Sequence, residues 1–182
     1  MKNLYLITGP SGVGKTSVAN KLCETHNLKQ LFSYTDRPPR HEGETGHVFL
    51  SRDEFNDLGP IFAGTVFDGH RYGTTANQLE EHDVYVVDLA GIQYIKEHYT
   101  GPKGIVAIGL SAPAEVLSQR MKNRGDSEDA VAQRLAHDER VFVNLNSHVN
   151  STINCSTLAD VNSLAEFVYH GIIRKYELGA AW

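Results

Sequence analysis

The chain has little of what marks several common protein classes. Cysteine is scarce: Cys23 and Cys155 are the two among 182 residues, far apart and without a CxxC spacing. A disulfide framework or a cysteine zinc site is therefore not expected, and reduced thiols in a cytoplasmic protein are. Nine histidines are scattered with no HxxxH pair, so no metal site is read from them. No apolar run approaches the ~18 residues that a membrane-spanning helix requires. The opening Met1-Lys2-Asn3 and the short apolar run after it lack the length and cleavage site of a secretory leader and read as a first strand. Basic residues number 17 against 22 acidic ones, for a net charge of −5. That balance argues against a nucleic-acid surface, which normally shows a basic stripe. What remains is ordinary, with 41% apolar and 21% charged residues. The length supports one compact core, or one core with small inserts, in a single domain over residues 1–182 that is a monomer or a homodimer.

Strand and helix patterns alternate along the chain. Leu4-Tyr5-Leu6-Ile7 is an apolar run ending at Gly9, as in a buried parallel strand. A helix is expected over residues 14–26 and a weaker strand over 28–33. Residues 35–82 change character, with Pro38-Pro39, several glycines and many charges, and read as an inserted small unit. Within it, short strands are expected near 47–51 and 61–67, and a short helix over 53–58 behind a Ser51 cap with Glu54 in its first turn. The core resumes with a strand at 84–88, a helix to about His98, a strand at 104–110 and a helix over 113–122 whose proline lies near its first turn. Residues 124–130 are polar and contain a glycine, which suggests a mobile lid. A helix to about Leu145, a last strand at 152–154 and an amphipathic helix over 160–176 follow. The last helix would bury Val161, Leu164, Ala165, Val168 and Ile172 on one face, and the tail 177–182 would be frayed. Alternation of this kind implies an α/β fold of three αβα layers, with a parallel sheet covered on both sides. The core then spans about 1–34 and 83–182.

Gly9-Pro10-Ser11-Gly12-Val13-Gly14-Lys15-Thr16 matches G-x-x-x-x-G-K-[ST] in full, between an apolar strand and a helix. The chemistry needs these residue types. Glycines let backbone N–H groups turn inward around phosphate oxygens, and the helix after the loop points its N-terminus at the same anion. Lysine in this pattern reaches the β- and γ-phosphates of ATP, and the hydroxyl of Thr16 is the expected Mg²⁺ ligand. A second basic feature is Arg37-Pro38-Pro39-Arg40. Two guanidiniums three residues apart, stiffened by two prolines, make a fork that can hold phosphate in a bidentate way.

With these pieces the chain resembles the guanylate kinase family. The matching motifs are GPSGVGKT (9–16), S-x-T-x-R-P-P-R (33–40), the Gly-Glu and Ser-Arg-Asp-Glu-Phe context (43–55), Gly-x-x-Tyr-Gly-Thr (69–74), Asp-x-x-Gly (88–91), Arg-x-x-x-Arg-Gly (120–125) and Gln-Arg-Leu (133–135). They occur in family order over about residues 3–155. The resemblance implies a P-loop kinase with a core, an acceptor-binding insert at about 35–82 and a lid at about 124–130. It implies that Ser33, Arg37, Arg40 and Tyr72 hold the acceptor's phosphate, with Thr74 and Asp88 facing its base. Arg120, Arg124 and Arg134 would surround the transferring phosphoryl group together with Lys15, and Asn154 would lie beside the ATP adenine.

The sequence departs from the family mostly where a base would be read. The position of the family's guanine-reading glutamate falls at Ala63, with Phe62 and Gly64 on either side, and no acid appears. A tyrosine that helps grip the acceptor phosphate falls at His47, a short deletion precedes Val48-Phe49-Leu50-Ser51, and a second strand acid falls at Val86. The acidic pair that follows the adenine-side asparagine is Cys155-Ser156. Three readings stay open. One is a nucleoside monophosphate kinase acting on GMP, dGMP or a related set, with ATP and Mg²⁺. Another is a kinase of a different phosphorylated small molecule, such as ribose 1,5-bisphosphate. The third is a non-catalytic guanylate-kinase-like binding module, against which the retained Lys15 and lid arginines argue.

Overall fold

The computed structural model describes residues 2–156 and 160–179. Its core is a five-stranded, all-parallel sheet in the order β2-β7-β1-β8-β9. These strands are β1 (Asn3–Thr8), β2 (Gln30–Leu31), β7 (Val84–Val86), β8 (Gly104–Ser111) and β9 (Ser151–Asn154). β1 lies at the centre because Leu4-Tyr5-Leu6-Ile7 is an unbroken apolar run, and Leu4 through Thr8 are buried on both faces. Tyr5 and Ile7 pack on one face with Val18, Ala19 and Leu22 of α1 (Lys15–His26) and Leu164, Ala165 and Val168 of α8 (Val161–Val168). Leu4 and Leu6 pack on the other with Leu89, Ile92 and Ile95 of α4 (Leu89–His98). Two apolar cores thus flank one sheet, which makes the three αβα layers expected from the alternation. Helix α5 (Ala114–Asn123) adds Leu117 and Met121 to the first core, and the short helix α7 (Leu145–His148) adds Leu145 to the second.

Between β2 and β7 the chain builds a second sheet, in the order β4-β3-β6-β5. Its strands are β3 (Tyr34–Thr35), β4 (Val48–Phe49), β5 (Phe62–Phe67) and β6 (His70–Thr74). Two short helices accompany it. Helix α2 (Arg52–Asn56) opens on a capping box in which Ser51 and Glu54 satisfy each other's backbone N–H groups. Helix α3 (Ala76–Glu81) opens on the same device, made by Thr75 and Gln78. The β5–β6 ladder shifts register between Phe62 and Thr65, and Ala63 there takes a left-handed φ of 47°. This bulge bends the strand toward α4.

Several boundaries differ from the sequence reading. The strand expected at 28–33 pairs in the core sheet only at Gln30–Leu31, because the chain crosses to the second sheet by Tyr34. The strand expected to reach residue 88 ends at Val86, since Asp88 is the N-cap of α4 and accepts from Gly91 N–H at 2.7 Å. Helix α6 (Glu128–Val141) starts inside the 124–130 stretch, because the Ser127 hydroxyl caps Ala130 and two acids fill the first turn. It stops at Val141, short of Leu145. The closing helix is interrupted by a π-helical turn, Tyr169–Ile173, before α9 (Arg174–Glu177). The extra residue of that turn rotates the apolar face, so that adjacent Ile172 and Ile173 are both buried. Val161, expected on the buried face, lies in the first turn and is exposed. Of the tail expected to fray, Glu177 belongs to α9, and residues 180–182 lie outside the described residues.

Candidate active site

The loop between β1 and α1 wraps tightly because its glycines meet conditions that other residues do not. A Cβ on Gly9 would start 2.3 Å from the carbonyl oxygen of Leu110, so the loop could not pass so close to β8 with any side chain there. Gly14 takes a left-handed φ of 104° at the N-cap of α1, and no side chain caps that helix. Its first N–H groups are therefore left for an anion. Lys15 Nζ donates to Gly9 O at 2.8 Å and to Pro10 O at 3.0 Å, folded back over its own loop. Burial pushes its ammonium down to about 8, partly opposed by the Asp138 carboxylate and reinforced by Arg124. The group stays mostly charged at neutral pH.

A cavity of about 440 Å³ opens over this loop, lined by residues 12–18, Arg120, Arg124, Asp160, Val161 and Leu164. Arg120 spans it, donating to Val13 O at 3.2 Å and to Cys155 O at 3.1 Å. Arg124 is exposed at the end of α5 and pairs with Asp126. Arg134 projects from α6 and is exposed, away from the cavity lining. Asn154 is exposed at the end of β9, its amide oxygen accepting from Ser156 N–H at 2.9 Å. Uncapped helical donors, a desolvated ammonium and two guanidiniums around one cavity suit the polyphosphate of ATP. Thr16 is exposed and lines the same cavity. Among the described residues no cluster of three or more acidic, His or Cys side chains is placed to hold a metal ion.

A second cavity, of about 590 Å³, lies between the two sheets. Ser33, His47, Tyr72 and Asp88 line it, together with Ala63, Gly64, Tyr85 and Tyr94. Ser33 Oγ lies 2.8 Å from His47 Nδ1. Arg37 stands next to it, its Nε donating to the Tyr72 hydroxyl at 3.1 Å and its guanidinium crossing the Phe49 ring at 5.2 Å. The fork holds an anion of its own. Glu44 accepts from Arg37 at 2.8 and 3.2 Å and from Arg40 N–H at 2.5 Å. Those bonds hold the Glu44 carboxyl down to about 2, with Arg37 the main cause. The Arg40 side chain is exposed, beside Arg37 and Tyr72 in a smaller adjoining cleft. Thr74 lies behind the wall rather than on it: it is fully buried and its hydroxyl donates to Gln78 at 2.6 Å.

Four further residues, Asp138, Asp36, Arg71 and Glu44, contribute contacts that no motif assigned to them. Asp138 is nearly buried on α6, and its carboxylate accepts from Ser11 N–H at 2.6 Å, tying that helix to the phosphate loop. Asp36 and Arg71 form an ion pair at 2.8 Å whose guanidinium also reaches Asn56 and stacks over Phe55, bracing the second sheet behind Arg37. Glu44 was legible only as part of a Gly-Glu pair, not as the partner of Arg37.

A family model described as guanylate kinase matches residues 1–163. A guanylate kinase of Nitrosomonas europaea is 35% identical over 162 residues, which is 82% of this chain and 78% of that relative. A guanylate kinase of Haemophilus influenzae is 31% identical over 175 residues, 83% of each chain. The crystal structure of guanylate kinase from Anaplasma phagocytophilum is similar in fold, with a TM-score of 0.68 at 22% identity, covering 96% of this chain and 86% of that one.

Proposed function

Since this chain belongs to the guanylate kinase family, it is an ATP-dependent phosphotransferase that acts on a nucleoside monophosphate, and we propose that its acceptor is GMP or dGMP. The observation that carries this reading is the cavity between the sheets. Its lining joins a phosphate-binding group, Ser33, His47 and Tyr72 beside Arg37, to a wall of Tyr85, Asp88 and Tyr94 that suits a flat base. Its volume, about 590 Å³, is that of a small-molecule site.

The donor side is the phosphate loop. Lys15 exchanges its two backbone carbonyl partners for phosphate oxygens, and Arg120 and Arg124 neutralise charge on the group in transfer. We assign Arg134 the same duty once residues 124–130 close over the cavity and exclude water, and Asn154 the adenine side. Thr16 would hold Mg²⁺, which supplies charge neutralisation across the phosphates. Arg37, Arg40, Tyr72, Ser33 and His47 hold and orient the acceptor's phosphate. That phosphate is already an anion near neutral pH, so no side chain is assigned as general base. Two unpaired cysteines fit a reaction carried out in the cytoplasm.

Ala63 keeps a second acceptor class in view, a sugar phosphate without a base. An ADP-release assay with ATP and Mg²⁺ over GMP, dGMP, AMP, IMP, dTMP, CMP, UMP and ribose 1,5-bisphosphate tests the proposal. GMP or dGMP should give the highest kcat/KM, and release should need Mg²⁺. A higher value with ribose 1,5-bisphosphate overturns the acceptor assignment, and no acceptor-dependent release at all overturns the kinase reading.

A further inference from the structure

His47 sits at the start of β4, half-buried between the rings of Phe49 and Tyr72, whose centroids lie 6.1 and 5.3 Å from its own. Its Nδ1 is committed to Ser33 Oγ at 2.8 Å. Among the described contacts Nε2 has no hydrogen bond, and the residue lines the acceptor cavity. Every element packed around it carries a polar or charged group. The segment after β3 brings Arg37, Arg40 and Glu44, β6 brings Tyr72, and β7 brings Tyr85, which shares the Ser33 hydroxyl. Burial and then Arg37 hold the imidazole below its ordinary range, with Glu44 opposing. The empty site therefore carries a neutral His47 at pH 7.

The charge count changes when a phosphate enters. Glu44 is paired with Arg37, so the fork presents one net positive charge from two guanidiniums and one carboxylate. A phosphomonoester brings a charge of roughly −1.5 to −2 at pH 7, leaving about one negative charge without a partner in a half-buried place. An opposite charge within a few ångströms raises an imidazole's pKa by about 1–3 units. That is enough to carry His47 through neutrality, with Nε2–H given to the phosphate and Nδ1–H to Ser33.

Resting on the reading of this cavity as the acceptor site, we propose that His47 takes up a proton as the acceptor's phosphate binds, so that acceptor binding, but not ATP binding, is proton-linked. The contribution is present below the pKa that His47 has in the complex and is lost as pH rises through it. The phosphate's own second ionisation, near pH 6, is nearly complete by pH 7 to 7.5, so it does not mask the effect there.

Isothermal titration of GMP into the whole protein at pH 7.5, in buffers of different ionisation enthalpy, tests this. Wild type should take up a measurable fraction of a proton per GMP, up to about one. Both His47→Gln and His47→Tyr should bind GMP without uptake. In steady state the wild-type acceptor KM should rise between pH 7 and 8.5. In His47→Gln it should be flat over that range and about tenfold higher at pH 7, with the ATP KM unchanged. Absence of uptake in wild type, or uptake that survives in both variants, overturns the proposal. If GMP does not bind, the GMP assignment fails separately, and the linkage is read with whichever monophosphate is turned over. If none is bound or turned over, both readings fall.

Discussion

Replacing Ala63 with glutamate asks whether the base-facing wall is one carboxylate short of reading guanine. Ala63 already occupies a left-handed backbone at φ 47°, a conformation that costs any residue with a Cβ about 1–2 kcal/mol. The substitution adds no new backbone strain. The added atoms have room, because Ala63 is half-buried on the wall of the 590 Å³ cavity. The nearest obstacle is electrostatic. The point where a side chain on Gly91 would begin lies 3.8 Å from Ala63 Cβ and 3.1 Å from Asp88 Oδ1, so the introduced carboxylate shares its wall with Asp88. Repulsion between like charges ~4 Å apart costs about 1 kcal/mol in water and about 4 at a protein-like dielectric. Against that, guanine N1–H and N2–H would each give a carboxylate a hydrogen bond of ~1.5–3 kcal/mol. A net gain of about 1.4 kcal/mol is a middle value, equivalent to roughly tenfold in kcat/KM for GMP relative to AMP. Because Asp88 disfavours ionisation of a second acid beside it, the gain should be small at pH 5.5 and full at pH 8. Steady-state kinetics with both acceptors at the two pH values, with a thermal melt as control, measure it. A normally folded Ala63→Glu protein whose GMP selectivity is unchanged at pH 8 refutes the reasoning and favours a sugar-phosphate acceptor.

Lys15→Ala should lower kcat by about 10²–10³-fold with an unchanged circular dichroism spectrum; wild-type turnover in that variant would remove Lys15 from the reaction. Glu44 is held down to about 2 by Arg37 and Arg40, so its contribution to stability is complete above its ordinary value near 4.5 and is lost as pH falls toward 2. The Tm difference between wild type and Glu44→Gln should therefore be open at pH 7 and close between pH 4.5 and 2; a gap that does not change with pH contradicts the pairing. Asp138→Ala removes a nearly buried acceptor from Ser11 N–H, a bond to a charged group worth ~1.5–3 kcal/mol. At about 2–4 °C per kcal/mol for a chain of this size, Tm should fall by roughly 3–12 °C, and a shift under ~1 °C would show the contact to be incidental.

The phosphate loop was legible because its chemistry is written in eight consecutive residues, and the central strand because β1 is apolar on both faces. Arg37-Pro38-Pro39-Arg40 is likewise a local pattern, but its pairing with Glu44 and Tyr72 is not written in it. Asp138 was not, since it acts on Ser11 from 127 residues away, and one acid on a polar helix has no periodic signal. Asp36 and Arg71 pair across 35 residues, from the position just after β3 to β6; β3 has two residues, too few to show an alternation. Asp88 reads as the end of a longer strand in the sequence, because an N-cap and a strand end look alike until the hydrogen bond to Gly91 is seen. Thr74 fits a motif by position, yet its hydroxyl faces Gln78, and side-chain direction in a bulged ladder is not set by sequence spacing.

The second sheet leaves the first after β2 and returns at β7, and these are hydrogen-bonded neighbours, with Lys29 O accepting from both Asp83 N–H and Val84 N–H. The two ends of the whole excursion are thus already joined, and closing so long a detour adds little entropic cost, since that cost grows only logarithmically with length. Residues inserted, lost or exchanged within it need not disturb the register of the parallel strands or the loop that grips ATP. The parallel sheet and its phosphate loop are held by the packing of the two cores, while the second sheet and its loops, where Ala63 and His47 both lie, can be altered without breaking that packing.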